Sequence, residues 1–114
     1  MTKTPQLYVA HIIKEIDFLQ DLAEATDFEH FKNDALRLRA AAYSVQIISE
    51  AVRNLPVEWL ADYDKINWKD VRGLGNVTRH EYFRVDAHII WQIIVDDLQY
   101  LHEAMTDFQN RKLN

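Results

Sequence analysis

Between Trp68 and Asp86 the chain reads WKDVRGLGNVTRHEYFRVD, and this stretch gathers an unusual share of side chains able to do chemistry. On a helix opening at Asn67, steps of about 100° per residue put Arg72, Asn76, Arg79 and His80 within roughly 100° of one another. Two guanidiniums, an amide and an imidazole on one face can bind a phosphodiester, exchange a proton near neutral pH and stabilise an oxyanion. No serine or cysteine nucleophile is required if the substrate is RNA, because RNA supplies its own nucleophile in the 2′-OH. A histidine beside arginines is also a common surface cluster, so the spacing by itself leaves both readings open.

Charge sharpens the contrast between this stretch and the remainder. The net charge of the 114-residue chain is −5. Residues 65–84 nevertheless carry Lys65, Lys69, Arg72, Arg79 and Arg84 against Asp70 and Glu81, a balance of +3 that leaves −8 elsewhere. Such an island can attract phosphate while the acidic exterior limits indiscriminate binding, although a short basic run can equally be a solvated face. Other chemistries are disfavoured. There is no cysteine, hence no disulfide framework and no thiol catalysis. His11 with Glu15, or His80 with His88, does not reproduce a metal-ligand spacing such as HExxH, and His30 and His102 read as solvated or packing residues. GLGN lacks the preceding strand and third glycine of a dinucleotide loop, and no GxxxxGK[ST] occurs. No cofactor is expected.

The elements that must hold this stretch are helical. Only two glycines and two prolines occur in the chain, which favours long helices over a turn-rich β fold. The first helix is predicted from an N-cap at Thr4 with Pro5 in its first turn, along the stripe Val9, Ile12, Ile16, Leu19 and Ala23. Thr26 with Glu29 resembles a capping box for a short element carrying Phe28 and Phe31. A second long helix is expected over 33–55 on Leu38, Ala41, Val45, Ile48, Val52 and Leu55, closed by Pro56. A short turn follows at 57–63. Asn67 with Asp70 opens a third helix, and Asp86 opens the last, on Ile90, Trp91, Ile94, Leu98, Leu101 and Met105. The tail QNRKLN is expected to fray. No repeat, linker or low-complexity run divides the chain, so 1–114 is read as one all-α domain, an antiparallel up-and-down four-helix bundle with short additional helical turns. Ala40, Ala41 and Ala42 make a small-residue patch where another helix can approach, or simply favour the helix. Lys14, Glu15 and Asp17 fall where a signal peptide would be apolar, and no apolar run approaches the roughly 20 residues of a membrane span. The expectation is a soluble, cytoplasmic protein with no membrane partner.

The run INWKDVRGLGNVTRHEYFRVD resembles the signature of HepT-like proteins of the HEPN superfamily, with Trp68, Gly73, Leu74, Asn76, His80, Tyr82, Val85 and Asp86 in step. ISEAVRNLP, residues 48–56, is similar to the family's IGEA segment, and IIWQIIVDDLQYL, residues 89–101, to its last helix. The resemblance implies a HEPN-like bundle and a two-fold homodimer with RNA-cleaving residues near a shared cleft. It further implies metal-independent endoribonuclease activity, a toxin's role, and a minimal nucleotidyltransferase as antitoxin partner. Carried over residue by residue, it makes His80 the general acid or base and gives Asn76 a positioning role. Tyr82 becomes an acceptor of AMP, and Glu50 a support that orients a basic residue or else an exposed helix carboxylate.

One position departs from the pattern. The family's arginine immediately before the asparagine is Gly75 here. Arg79, about 40° round the helix, and Arg72, about 60° round, are the candidates to replace it at the phosphate. An unbroken helix would put Tyr82 about 160° from His80, so a shared site needs the helix to end or bend. Gly75 also motivates an alternative: a catalytically weakened subunit that binds a nucleotidyltransferase or nucleotides without cleaving RNA.

Overall fold

The computed structural model describes residues 4–73 and 86–111, and all regular structure among them is helical. Helix α1 spans Pro5–Glu24, with Pro5 in its first turn and Val9, Ile12, Ile16 and Leu19 each fully buried. These four recur at steps of three and four, which puts them on one side of the rod. Thr4 stands at the N-cap in extended conformation, but its side chain makes no capping bond.

The short helix α2, Phe28–Phe31, is capped by Asp27 rather than by the Thr26–Glu29 box. Asp27 Oδ1 accepts from the His30 backbone N–H at 2.9 Å and pairs with the His30 ring at 2.8 Å, while Glu29 turns to Lys32. A carboxylate one residue later outcompetes the threonine hydroxyl because its bond to the amide is charge-assisted. These contacts hold the Asp27 carboxyl below its ordinary value, chiefly through the His30 amide. Helix α3 spans Ala35–Val52, shorter at both ends than the expected 33–55. Asn33 bonds back to the Glu29 carbonyl, and Asp34 caps the helix through the Arg37 N–H at 3.1 Å. At the far end Pro56 disfavours helical backbone at Leu55, so the chain leaves α3 through a turn while Leu55 stays buried.

Helix α4 is one turn, Val57–Leu60, and α5 is helical over the described residues 68–73. Asn67 caps α5 as its spacing suggests, accepting from the Asp70 N–H at 3.1 Å. Asp86 caps α6, Ala87–Gln92, accepting from His88 and Ile89. A π-helical segment, Ile93–Asp97, follows directly and leads into α7, Leu98–Arg111. The sequence reads as one regular α-helix here. Its apolar residues Ile90, Ile94 and Leu98 step by four, which overshoots two α-helical turns by about 80°. The wider π turn absorbs that drift and keeps all three buried. Nor does the tail fray at 109–111: α7 runs through Arg111, which bonds Asp107, a cation suited to a helix C-terminus.

The topology follows from the pairings. Asp17 of α1 stands 3.7 Å from His102 of α7. Phe28 and Phe31, just beyond the C-terminal end of α1, meet Trp91 at ring separations of 6.1 and 5.1 Å. Helix α1 therefore runs antiparallel to the last rod. Trp59 and Tyr63 close over Phe108 at the opposite end, and α5 returns from there alongside α3. The result is an all-α, up-and-down bundle. Ala41 and Ala42 are buried within the chain, where α3 packs on α1, so most of the small-residue patch serves this contact rather than a partner's. Among the described residues no helix is long and apolar enough to cross a membrane.

Candidate functional site

Asn76, Arg79, His80 and Tyr82, together with Gly75, lie outside the described residues. Arg72 and Glu50 lie within them, on α5 and α3. Helix α5 is fixed at its start by Trp68, whose indole N–H donates to the carbonyls of Leu60 at 2.8 Å and Tyr63 at 3.1 Å. Val71 packs on the core from the same helix, leaving Lys69 and Asp70 exposed.

Its other described end is tied to α3. The Arg72 carbonyl accepts from Ser49 Oγ at 2.8 Å, from Arg53 Nε at 3.1 Å and from Arg53 Nη2 at 2.8 Å. Ser49 is fully buried, so its hydroxyl depends on this bond. Glu50 stands beside the same cation, with Oε1 3.8 Å from Arg53 Nη1, and its backbone carbonyl takes the Asn54 amide at 2.8 Å. The Arg72 side chain is half-buried and forms no ion pair among the described residues. Sequence reasoning singled out Glu50 and Arg72 but passed over Ser49 and Arg53. The available signal was their spacing: four residues apart within ISEAVRNLP, they line up at the C-terminal end of α3, Arg53 as its C-cap.

Beneath α5 a cavity of about 210 Å³ opens between α3, α5 and the π segment. Its walls include Val45, Ile48, Ile66 and Leu98, and Asp70, Asp97 and Lys65 border it. Partial burial, followed by the charges of Asp96 and Asp70, pushes the Asp97 carboxyl above its ordinary value. A raised carboxyl disfavours the ionised folded state. The cost is absent below the unfolded value near 3.8, grows as pH rises through the interval up to the raised folded value, and is complete above it. Asp97→Asn is therefore expected to be more stable than the parent at pH 7, by less than about 1 kcal/mol because the side chain is solvent-screened. Melting temperatures at pH 7 and pH 3.5 check this: the difference should close at the acid end, and a loss of stability at pH 7 would contradict it.

His30 and His102 pair with Asp27 and Asp17, as packing or solvated residues would. Among the described residues no three His, Asp or Glu side chains converge as a metal-binding group.

Comparison with known proteins agrees with the resemblance carried by the sequence. The family model for HepT-like ribonucleases matches residues 12–108. A protein of Caldanaerobacter subterraneus subsp. tengcongensis named "Putative RNase TTE0752" is 36% identical over 96% of this chain and 98% of its own length. "Putative RNase MJ0127" of Methanocaldococcus jannaschii is 30% identical over 87% of the chain and 82% of its own. "Probable ribonuclease HepT" of Thermococcus cleftensis is 25% identical over 89% and 92% respectively. No solved structure matches the chain. With a family model spanning most of its length and a relative above 30% identity aligned nearly end to end, the chain belongs to the HepT-like ribonuclease family.

Proposed function

We propose that this protein is an endoribonuclease, the toxin of a toxin–antitoxin pair, acting as a homodimer without a metal ion. The observation that carries the reading is the family match across 12–108, which includes the whole of RHEY and the helix that leads into it. In the proposed reaction the 2′-oxygen forms a bond to phosphorus and the bond from phosphorus to the 5′-oxygen breaks. His80 takes the proton from the 2′-OH or delivers one to the leaving oxygen. Arg79, with Arg72 second, neutralises the charge that builds on the phosphate, and Asn76 positions the phosphate or the imidazole. The products are a 2′,3′-cyclic phosphate and a 5′-hydroxyl. Two protomers would bring two copies of the basic island to one cleft and one RNA strand.

The partner in this reading is a minimal nucleotidyltransferase, which silences the toxin by moving AMP from ATP to the Tyr82 hydroxyl with release of pyrophosphate. A second reading rests on Gly75: without the motif arginine the chain can persist as a binding subunit for that partner or for nucleotides. Incubating the purified protein with RNA in excess EDTA tests the first reading. The expected result is fragments with 5′-hydroxyl ends; intact RNA under these conditions would overturn metal-free cleavage and favour the second reading.

A further inference from the structure

We infer that Arg53 and Ser49 are positioning residues for RNA cleavage: from α3 they fix the point at which α5 hands the chain to the reactive stretch. The inference rests on the reading that residues 76–82 carry the chemistry. Three donors converge on one atom, the Arg72 carbonyl oxygen, at 2.8, 3.1 and 2.8 Å. A backbone carbonyl has two lone pairs, so this one is fully engaged by α3. The Nε and Nη2 atoms of Arg53 grip it as a fork, which fixes the plane of the guanidinium, and Glu50 steadies the third nitrogen from 3.8 Å. Ser49 approaches from inside the core, where nothing from solvent can replace its hydroxyl.

The place of this clamp matters more than its strength. The hold of α5 on the bundle is already supplied by Trp68, about one turn closer to the start, and by Val71, the residue before Arg72. Arg72 is four residues before Asn76 and eight before His80 in the chain. At no more than about 3.6 Å per residue, Asn76 lies within roughly 14 Å of the clamped residue. Under the proposed reading, a shift of the Arg72 peptide shifts the start of the stretch that bears those groups, and a misplacement of about 1 Å at such groups can cost about 100-fold in rate. Lysine at 53 would keep the charge and the helix but cannot fork onto one oxygen.

The test uses the full chain with Arg53→Lys, Ser49→Ala and the double variant. An RNA oligonucleotide assay gives kcat, KM and the salt dependence of KM. The His80 ring resonances are followed by NMR, and melting temperature checks the fold. Positioning predicts a fall in kcat of about 10-fold or more in the double variant, KM within about two-fold, an unchanged salt slope and displaced His80 ring signals. A raised KM with a shallower salt slope would make Arg53 a direct phosphate contact and overturn the inference. Unchanged kcat and unchanged His80 signals would overturn it too. If the parent fails to cleave RNA, the functional reading falls and takes the role in cleavage with it, while the His80 signals report separately whether the two residues position the stretch: displaced in the variants they do, unmoved they do not.

Discussion

Replacing His80 by alanine is expected to lower the rate of RNA cleavage by about 10²–10⁴-fold, the range lost when a positioned acid or base is removed. The stretch holds neither serine nor cysteine, so no nucleophile of that kind stands behind it. The arginines divide the remaining electrostatic work. Whichever of Arg79 and Arg72 stabilises the transition-state oxyanion should cost about 10²–10³-fold on truncation to alanine, and the other much less. Asn76→Ala should cost less than the dominant arginine because a neutral amide forms a weaker bond than a charged donor. Single-turnover assays on circular-dichroism-checked proteins separate these cases. Cleavage by His80→Ala at the parental rate would mean the site is misassigned. An inert parent with an active Gly75→Arg variant would identify the chain as a disarmed toxin retained for binding.

Trp68→Ala is expected to cost about 3–5 kcal/mol of folding stability, as large aromatic truncations in a packed interior do. Against the roughly 5–15 kcal/mol that holds a typical domain together, that is enough to leave a substantial unfolded fraction. Two losses combine: a side chain with only 9% of its surface exposed, and an indole N–H shared between the Leu60 and Tyr63 carbonyls. Trp68→Phe separates them. It keeps most of the ring packing and removes the donor, so it should cost about 1–3 kcal/mol, the usual loss when a buried group is left unpaired. Urea unfolding measures both, and a phenylalanine variant as unstable as the alanine one would show that the hydrogen bonds, not the packing, dominate. Because Trp68 also opens α5, the alanine variant should lose cleavage in proportion to its unfolded fraction.

Much of the fold was legible in the residues. Pro5, Asn67 and Asp86 marked helix starts that the structure retains, because a missing N–H or a short side-chain acceptor acts within its own turn. The stripes of α1 and α3 were legible for the same reason: burial on one side of a rod follows a period that depends on the helix alone. The family, too, could be read from INWKDVRGLGNVTRHEYFRVD, since a signature of that length is written in residue order.

What the sequence could not decide depended on competition between nearby groups or on contacts between distant ones. Thr26 and Asp27 are both competent caps, and the charge-assisted bond from the His30 amide to Asp27 decided between them. The π segment at Ile93–Asp97 was hidden because each apolar residue there also suits an α-helix; packing against α1 and α3 set the register that the wider turn satisfies. Ala41 and Ala42 became an internal contact only once α1 lay across them. Ser49 and Arg53 acquired a role solely through a carbonyl 23 and 19 residues away. Local spacing reports which side chains share a face. It is silent on which backbone atom another helix will bring opposite that face, because chain folding, not helix periodicity, determines that distance.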